Sequence, residues 1–125
     1  MNLYCEISAG ELIDKISILE IKSEKIKDQI KLEHINKEKY ILLKESEKLN
    51  LYQKWLEKIK EVNLKLWKIE DSIREKERKK EFDQEFIQLA RSVYFINDQR
   101  FNIKNEINSF YRSNIIEQKS YEKYN

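Results

Sequence analysis

Apolar side chains recur along this chain at alternating steps of four and three residues, the period of a helix face turned toward a core. Leu12, Ile16, Leu19, Ser23, Ile26 and Ile30 trace a first such line, and Ile35, Lys39, Leu42, Ser46 and Leu49 a thinner second one. Trp55, Ile59, Val62, Leu66, Ile69 and Ile73 form a third line that is apolar throughout. The fourth is Phe86, Ala90, Val93, Asn97, Arg100, Lys104 and Ile107, and its middle is an amide followed by two cations. Charges on a core seam need partners, because an unpaired charge out of water is very costly.

Local signals set the ends of these helices. Ser8-Ala9-Gly10-Glu11 matches the S-x-x-E capping box, with Ile7 and Leu12 as its hydrophobic staple, and starts helix 1. The pattern slips around Glu33–Asn36, where Asn36 can cap helix 2; a single long, bent helix is the alternative. Leu49-Asn50-Leu51 is the next expected break. Helix 3 is then predicted from Tyr52 to Arg78, ending in a basic run that suits the negative end of the helix dipole. Asp83 caps helix 4, which continues to about Tyr111. Asn114–Glu117 can form a short last turn, and the tail carrying Tyr121 and Tyr124 is expected to fold back over the bundle.

The fold class that follows is all-α: a mostly antiparallel bundle of about four main helices with a short C-terminal helical turn, in one domain spanning 1–125. Composition agrees, with no Pro, one Gly, 38% charged and 40% hydrophobic residues. At this length a single core buries roughly two-thirds of the unfolded surface. A net charge of +2 gives no electrostatic argument for nucleic acid. One Cys and one His exclude a disulfide framework and a His- or thiolate-based metal centre. No uncharged run approaches the ~20 residues of a membrane span, and the N-terminus lacks the pattern of a signal peptide. A cytoplasmic protein is expected.

Helix 3 carries a second stripe beside its seam, in which Asn63, Trp67, Glu70 and Arg74 alternate amide, aromatic, acid and cation. Arg91, Tyr94 and Asp98 form a neighbouring line on helix 4, and helix 1 can contribute Glu20. Sites inside helical bundles are built in this way, from side chains on facing helices. As interhelical ion pairs, Glu70, Glu20 or Asp71 would balance Arg100 and Lys104 and set helix register. As a site, the set would suit a small anion such as a nucleotide-sugar, a sugar phosphate or a carboxylate. The candidate ligand-binding residues are therefore Asn63, Trp67, Glu70, Arg74, Arg91, Asn97, Asp98, Arg100 and Lys104, with no catalytic residue, metal or cofactor assigned.

Known chemistries fit poorly. Neither His34 nor Cys5 stands in the context of a catalytic triad, and one glycine cannot build a phosphate loop. EISAGELIDKISILE looks superficially like the first helix of an all-α chorismate mutase, but the position expected to hold a substrate-binding arginine is Ile13. Glu11-Leu-Ile-Asp14 fits one acidic element of the all-α nucleotide pyrophosphohydrolases, without the E-x-x-E that should precede it.

Four segments, GELIDKISILEIK at 10–22, VNLKLWKIEDSIR at 62–74, FDQEFIQLARSVYFINDQRFNIKNEIN at 82–108 and EQKSY at 117–121, together resemble a family of short bacterial proteins defined only as a domain of unknown function. The resemblance spans most of the chain except about 32–61. It implies family motif positions at Asp14, Lys15, Asn63, Trp67, Glu70, Asp71, Arg74, Arg91, Asn97, Asp98, Arg100 and Lys104. It also implies a setting among genes for surface-polysaccharide assembly and glycosyl transfer. The expected function is an accessory or small-anion-binding protein with a polar pocket between helices 1, 3 and 4. The alternatives are a small cofactor-free or metal-assisted enzyme acting on an anionic phosphate or carboxylate, and a structural module forming a homodimer through the outer face of helix 1, where Ile18 and Ile21 lie.

Overall fold

A computed structural model describes residues 1–124. It contains α1 (Ala9–Lys25), α2 (Gln29–Ser46), α3 (Tyr52–Lys79) and α4 (Gln84–Phe110), with no strand among the described residues. The all-α bundle expected from periodicity is the fold. Both N-caps are used: Ser8 Oγ accepts the Glu11 amide at 3.1 Å, and Asp83 Oδ1 accepts the Phe86 amide at 3.0 Å. These contacts span three residues, so they depend on little beyond the local sequence. The Glu11 carboxylate, expected to reach back to the Ser8 amide as the second half of a capping box, bonds Lys104 instead.

The first boundary falls earlier than expected. α1 ends at Lys25 and Asp28 caps α2, its Oδ1 accepting the Lys31 amide at 2.9 Å. Asn36 lies inside α2, Ile30 belongs to α2 and is exposed, and helices 1 and 2 are separate. At the other end the turn occupies Tyr111 and Arg112; residues 114–124 form no helix and run back along α4.

α1 is the element that packs against all three others. Its N-terminal end lies on α4, and its C-terminal half reaches α3, where Lys60 Nζ stands 3.2 Å from Glu20 and 2.8 Å from Glu24. The core is where the three meet: Leu12, Ile13 and Ile16 against Trp55, Leu56, Ile59, Val62, Ile103 and Ile107. α2 packs along α1 and adds Leu42 and Leu43 at the margin of this core. With α2 alongside, Ile21 is buried and Ile18 half-buried, so the second apolar face of helix 1 is largely covered within the chain.

α3 and α4 continue well past α1 as an antiparallel pair. No residue from 64 to 102 is buried. The tip of this arm is tied by Lys76, whose ammonium lies 3.0–3.2 Å from Glu81, Asp83 and Glu85. Its hydrogen bonds to Asp83 and Glu81 raise the pKa of Lys76 well above its ordinary value.

Candidate functional site

The polar layer forms where α1 crosses α4, and its construction starts from the one glycine. Gly10 lets the two backbones touch: a Cβ there would stand 2.6 Å from the Lys104 carbonyl oxygen and 2.8 Å from Asn108 Oδ1. The first amides of a helix lack partners within it. Here Gly10 N–H donates to Asn108 Oδ1 at 2.7 Å, and Ala9 N–H to Ser113 Oγ at 3.0 Å. Asn108 is buried, and its Nδ2 has no hydrogen-bond partner among the described residues.

One turn further along α1, Asp14 is 1% exposed and is met from two helices. Arg100 donates to it through Nε at 3.0 Å and through Nη2, a two-point pairing that fixes both planes. Asn63 Nδ2 from α3 donates to Asp14 Oδ1 at 2.9 Å and to Ser17 Oγ at 2.7 Å. Ser17 in turn donates to the Asp14 carbonyl at 2.7 Å. Beside this cluster the Lys104 ammonium bonds Glu11 at 2.9 Å and Glu117 of the tail at 3.2 Å. Hydrogen bonds to Asp14 hold the Arg100 pKa above its usual value. Burial works against the Lys104 charge, but Glu11, Asp14 and Glu117 together outweigh it and raise that pKa.

The expected facing wall is thus corrected. Asp14 and Glu11 of α1 balance Arg100 and Lys104, not Glu70, Asp71 or Glu20. Glu20 pairs with Lys60. Glu70 and Arg74 are exposed on the arm and face each other at 3.6 Å. Trp67 is half-buried on the same part of α3. The helical register is the reason: Asn63 marks the last turn of α3 that α1 covers, and Trp67, Glu70 and Arg74 continue its stripe beyond. Asp14 could have been suspected from its three-residue spacing to Glu11, which puts both acids on one side of α1.

The α4 members of the predicted set do come together. Arg91, Asn97, Asp98, Arg100 and Lys104 line one wall of a groove of about 1190 Å3, whose other wall is the tail from Glu117 to Tyr124. Asp98 anchors the tail, accepting from Lys119 Nζ at 2.9 Å and from Tyr124 Oη at 2.6 Å. Those two bonds hold the Asp98 carboxyl below its ordinary pKa, the Tyr124 bond first. Tyr124 also packs on Tyr94 and Phe95, at centroid distances of 5.6 and 5.1 Å, and the Lys119 ammonium sits 4.9 Å over the Phe101 ring. The tail's contribution to the groove was missed, because only its tyrosines hinted that it folds back.

Among the described residues no cluster of three or more His, Cys, Asp or Glu side chains is placed to hold a metal ion. Among the described residues no helix is long and apolar enough to cross a membrane. The groove along α4 thus combines five cations, three acids, two amides and several ring faces. No curated protein and no solved structure matches the chain. A family model covers residues 3–124, and the chain belongs to that family, a family of unknown function designated DUF6165.

Proposed function

We propose that this protein is a small-anion-binding accessory protein and that the groove between α4 and the tail is its binding site. The observation that carries this reading is the groove's lining. Arg91, Arg100 and Lys104 of α4 stand there beside Tyr94, Phe95 and Phe101, and the groove's cations outnumber its acids, Asp98, Glu117 and Glu122. Guanidinium and ammonium groups recognise phosphate or carboxylate oxygens, and ring faces hold a planar or sugar moiety. At about 1190 Å3 the groove is larger than the roughly 300–1,000 Å3 usual for a small-molecule site, so it has room for ligands of that class. Nucleotide-sugars, sugar phosphates and carboxylates are the ligand classes that combine these features. Action in the cytoplasm, in support of surface-polysaccharide assembly, is the setting we attach to this reading, on the family resemblance.

A thermal-shift panel tests it directly. Nucleotide-sugars, sugar phosphates and simple carboxylates at millimolar concentration should include a class that raises the melting temperature by several degrees. Arg91→Ala with Tyr94→Ala, two exposed positions of α4 on the groove, should abolish that shift while leaving the unliganded melting temperature nearly unchanged. No shift with any class rejects the reading. Turnover of the stabilising compound would replace a binding role by a catalytic one.

A further inference from the structure

We propose that the C-terminal tail is an internal competitor for the groove, with Glu117 standing in for the ligand's anionic group and Tyr124 for its ring. This rests on the anion-binding reading and specifies its ligand and regulation. The tail puts a carboxylate 3.2 Å from the Lys104 ammonium and an aromatic ring against Tyr94 and Phe95. Those are the two kinds of contact that an anion joined to a ring would make. Ten residues of α4 separate Tyr94 from Lys104, about 15 Å at the helical rise. The ligand class that matches is a nucleoside diphosphate or its sugar ester, with the base at Tyr94 and Phe95 and the phosphates toward Lys104.

The attachment is built to be reversible. Every residue from 114 to 124 is exposed, and the ring faces of Tyr94 and Phe95 that lifting Tyr124 uncovers are those that the ligand's ring would cover again. Exposed ion pairs such as Lys119 to Asp98 hold weakly and are screened by salt. Lys104 would keep its pairing with Glu11 when Glu117 leaves, so its charge would not be stranded. A diphosphate carries more charge than one carboxylate and would displace it from the same cations.

The test uses the full-length chain with uridine diphosphate and inorganic pyrophosphate as probes in titration calorimetry. Glu117→Gln should tighten uridine diphosphate binding by about 3- to 10-fold. Tyr124→Ala should tighten uridine diphosphate but not pyrophosphate, which has no ring. Glu33→Gln removes the same charge from an exposed position of α2 outside the groove, and should change affinity less than 2-fold. Uridine diphosphate should also speed tryptic cleavage after Lys119 and Lys123, read by mass spectrometry. A gain for Glu117→Gln no larger than that for Glu33→Gln, or slower cleavage with ligand, would overturn the competitor while leaving the anion site standing. Absence of binding in the wild type and all three variants would overturn both.

Discussion

The base of the α3–α4 pair and its outer half continue the same two apolar seams into different surroundings. On α3, Ile59 and Val62 are buried, whereas Leu66, Ile69 and Ile73 on the same line are only half-buried. On α4, Ile103 and Ile107 are buried, while Phe86, Val93 and Ile96 are not. What separates the two halves is α1. Where it crosses, a third wall closes the core, and acids of α1 meet the charges of Arg100 and Lys104. Beyond it, two helices shield one face of each other, and charges such as Glu70 and Arg74 stay in water. An apolar seam therefore reports that a helix has a partner, not how many.

The sharpest way to break this contrast is Asp14→Ala, which removes the acid that Arg100 and Asn63 share. Stranding buried partners in this way should cost roughly 3–5 kcal/mol in chemical denaturation. The double change Asp14→Leu with Arg100→Met should recover most of it, since apolar replacement of a buried pair is often neutral. Glu70→Ala, the arm's counterpart, should change stability by no more than about 0.5 kcal/mol. If Asp14→Ala proved as mild as Glu70→Ala, the matched layer would not be a structural junction.

Truncations along one seam come next. Ile59→Ala should cost about 2–5 kcal/mol, in the range of fully buried aliphatic side chains. Leu66→Ala should cost about half as much or less, since part of that side chain already meets water. Gly10→Ala probes the helix crossing itself. Its methyl would press on the Lys104 carbonyl, a backbone atom that cannot swing away, and a loss of about 1–3 kcal/mol is expected. An unchanged melting temperature would mean that α1 rides higher on α4 than described.

The smallest effect is alkaline. Tyr52, at the base, has a buried hydroxyl without a hydrogen-bond partner among the described residues. Burial, reinforced by the charge of Glu20, pushes its phenol up to about 12. The pKa of Lys104 is also raised, as the acids around it outweigh the cost of its burial. Both values rise on folding, so these contributions are whole below the unfolded values of about 10 and 10.4. They are lost as pH climbs through the folded values. Stability should therefore fall from about pH 10 upward, and Tyr52→Phe should flatten part of that slope. A Tyr52→Phe profile parallel to wild type would remove tyrosine from the account.

Much of the architecture was legible because it is set by short-range physics. Ser8 and Asp83 each satisfy an amide three residues away, so their caps could be read without knowing what lies across the core. The break before α2 obeys the same rule through Asp28, and was misplaced because Asn36 offered an equally good local signal. Three helix-flanking residues, Leu51, Lys80 and Arg112, adopt left-handed backbone without glycine, so no composition cue marked them. In the site, the polar run on α4 was visible as a violation of its own periodicity, and the structure places Arg100 and Lys104 in the layer as expected.

What the sequence determined by itself, then, is that four helices form, which face of each turns inward, and that α4 brings cations to its inner face. Periodicity and capping depend on neighbours within a turn, and a charge on an apolar seam demands a partner wherever the seam leads. The tertiary structure decided which partner. Asp14 and Glu70 were both acids at plausible positions, and the choice between them depended on where α1 crosses and where it stops. That crossing is set by the contact Gly10 allows and by helix lengths acting together. The tail's place on α4 was likewise decided by three-dimensional proximity to Asp98 and Lys104, which no spacing along the chain encodes.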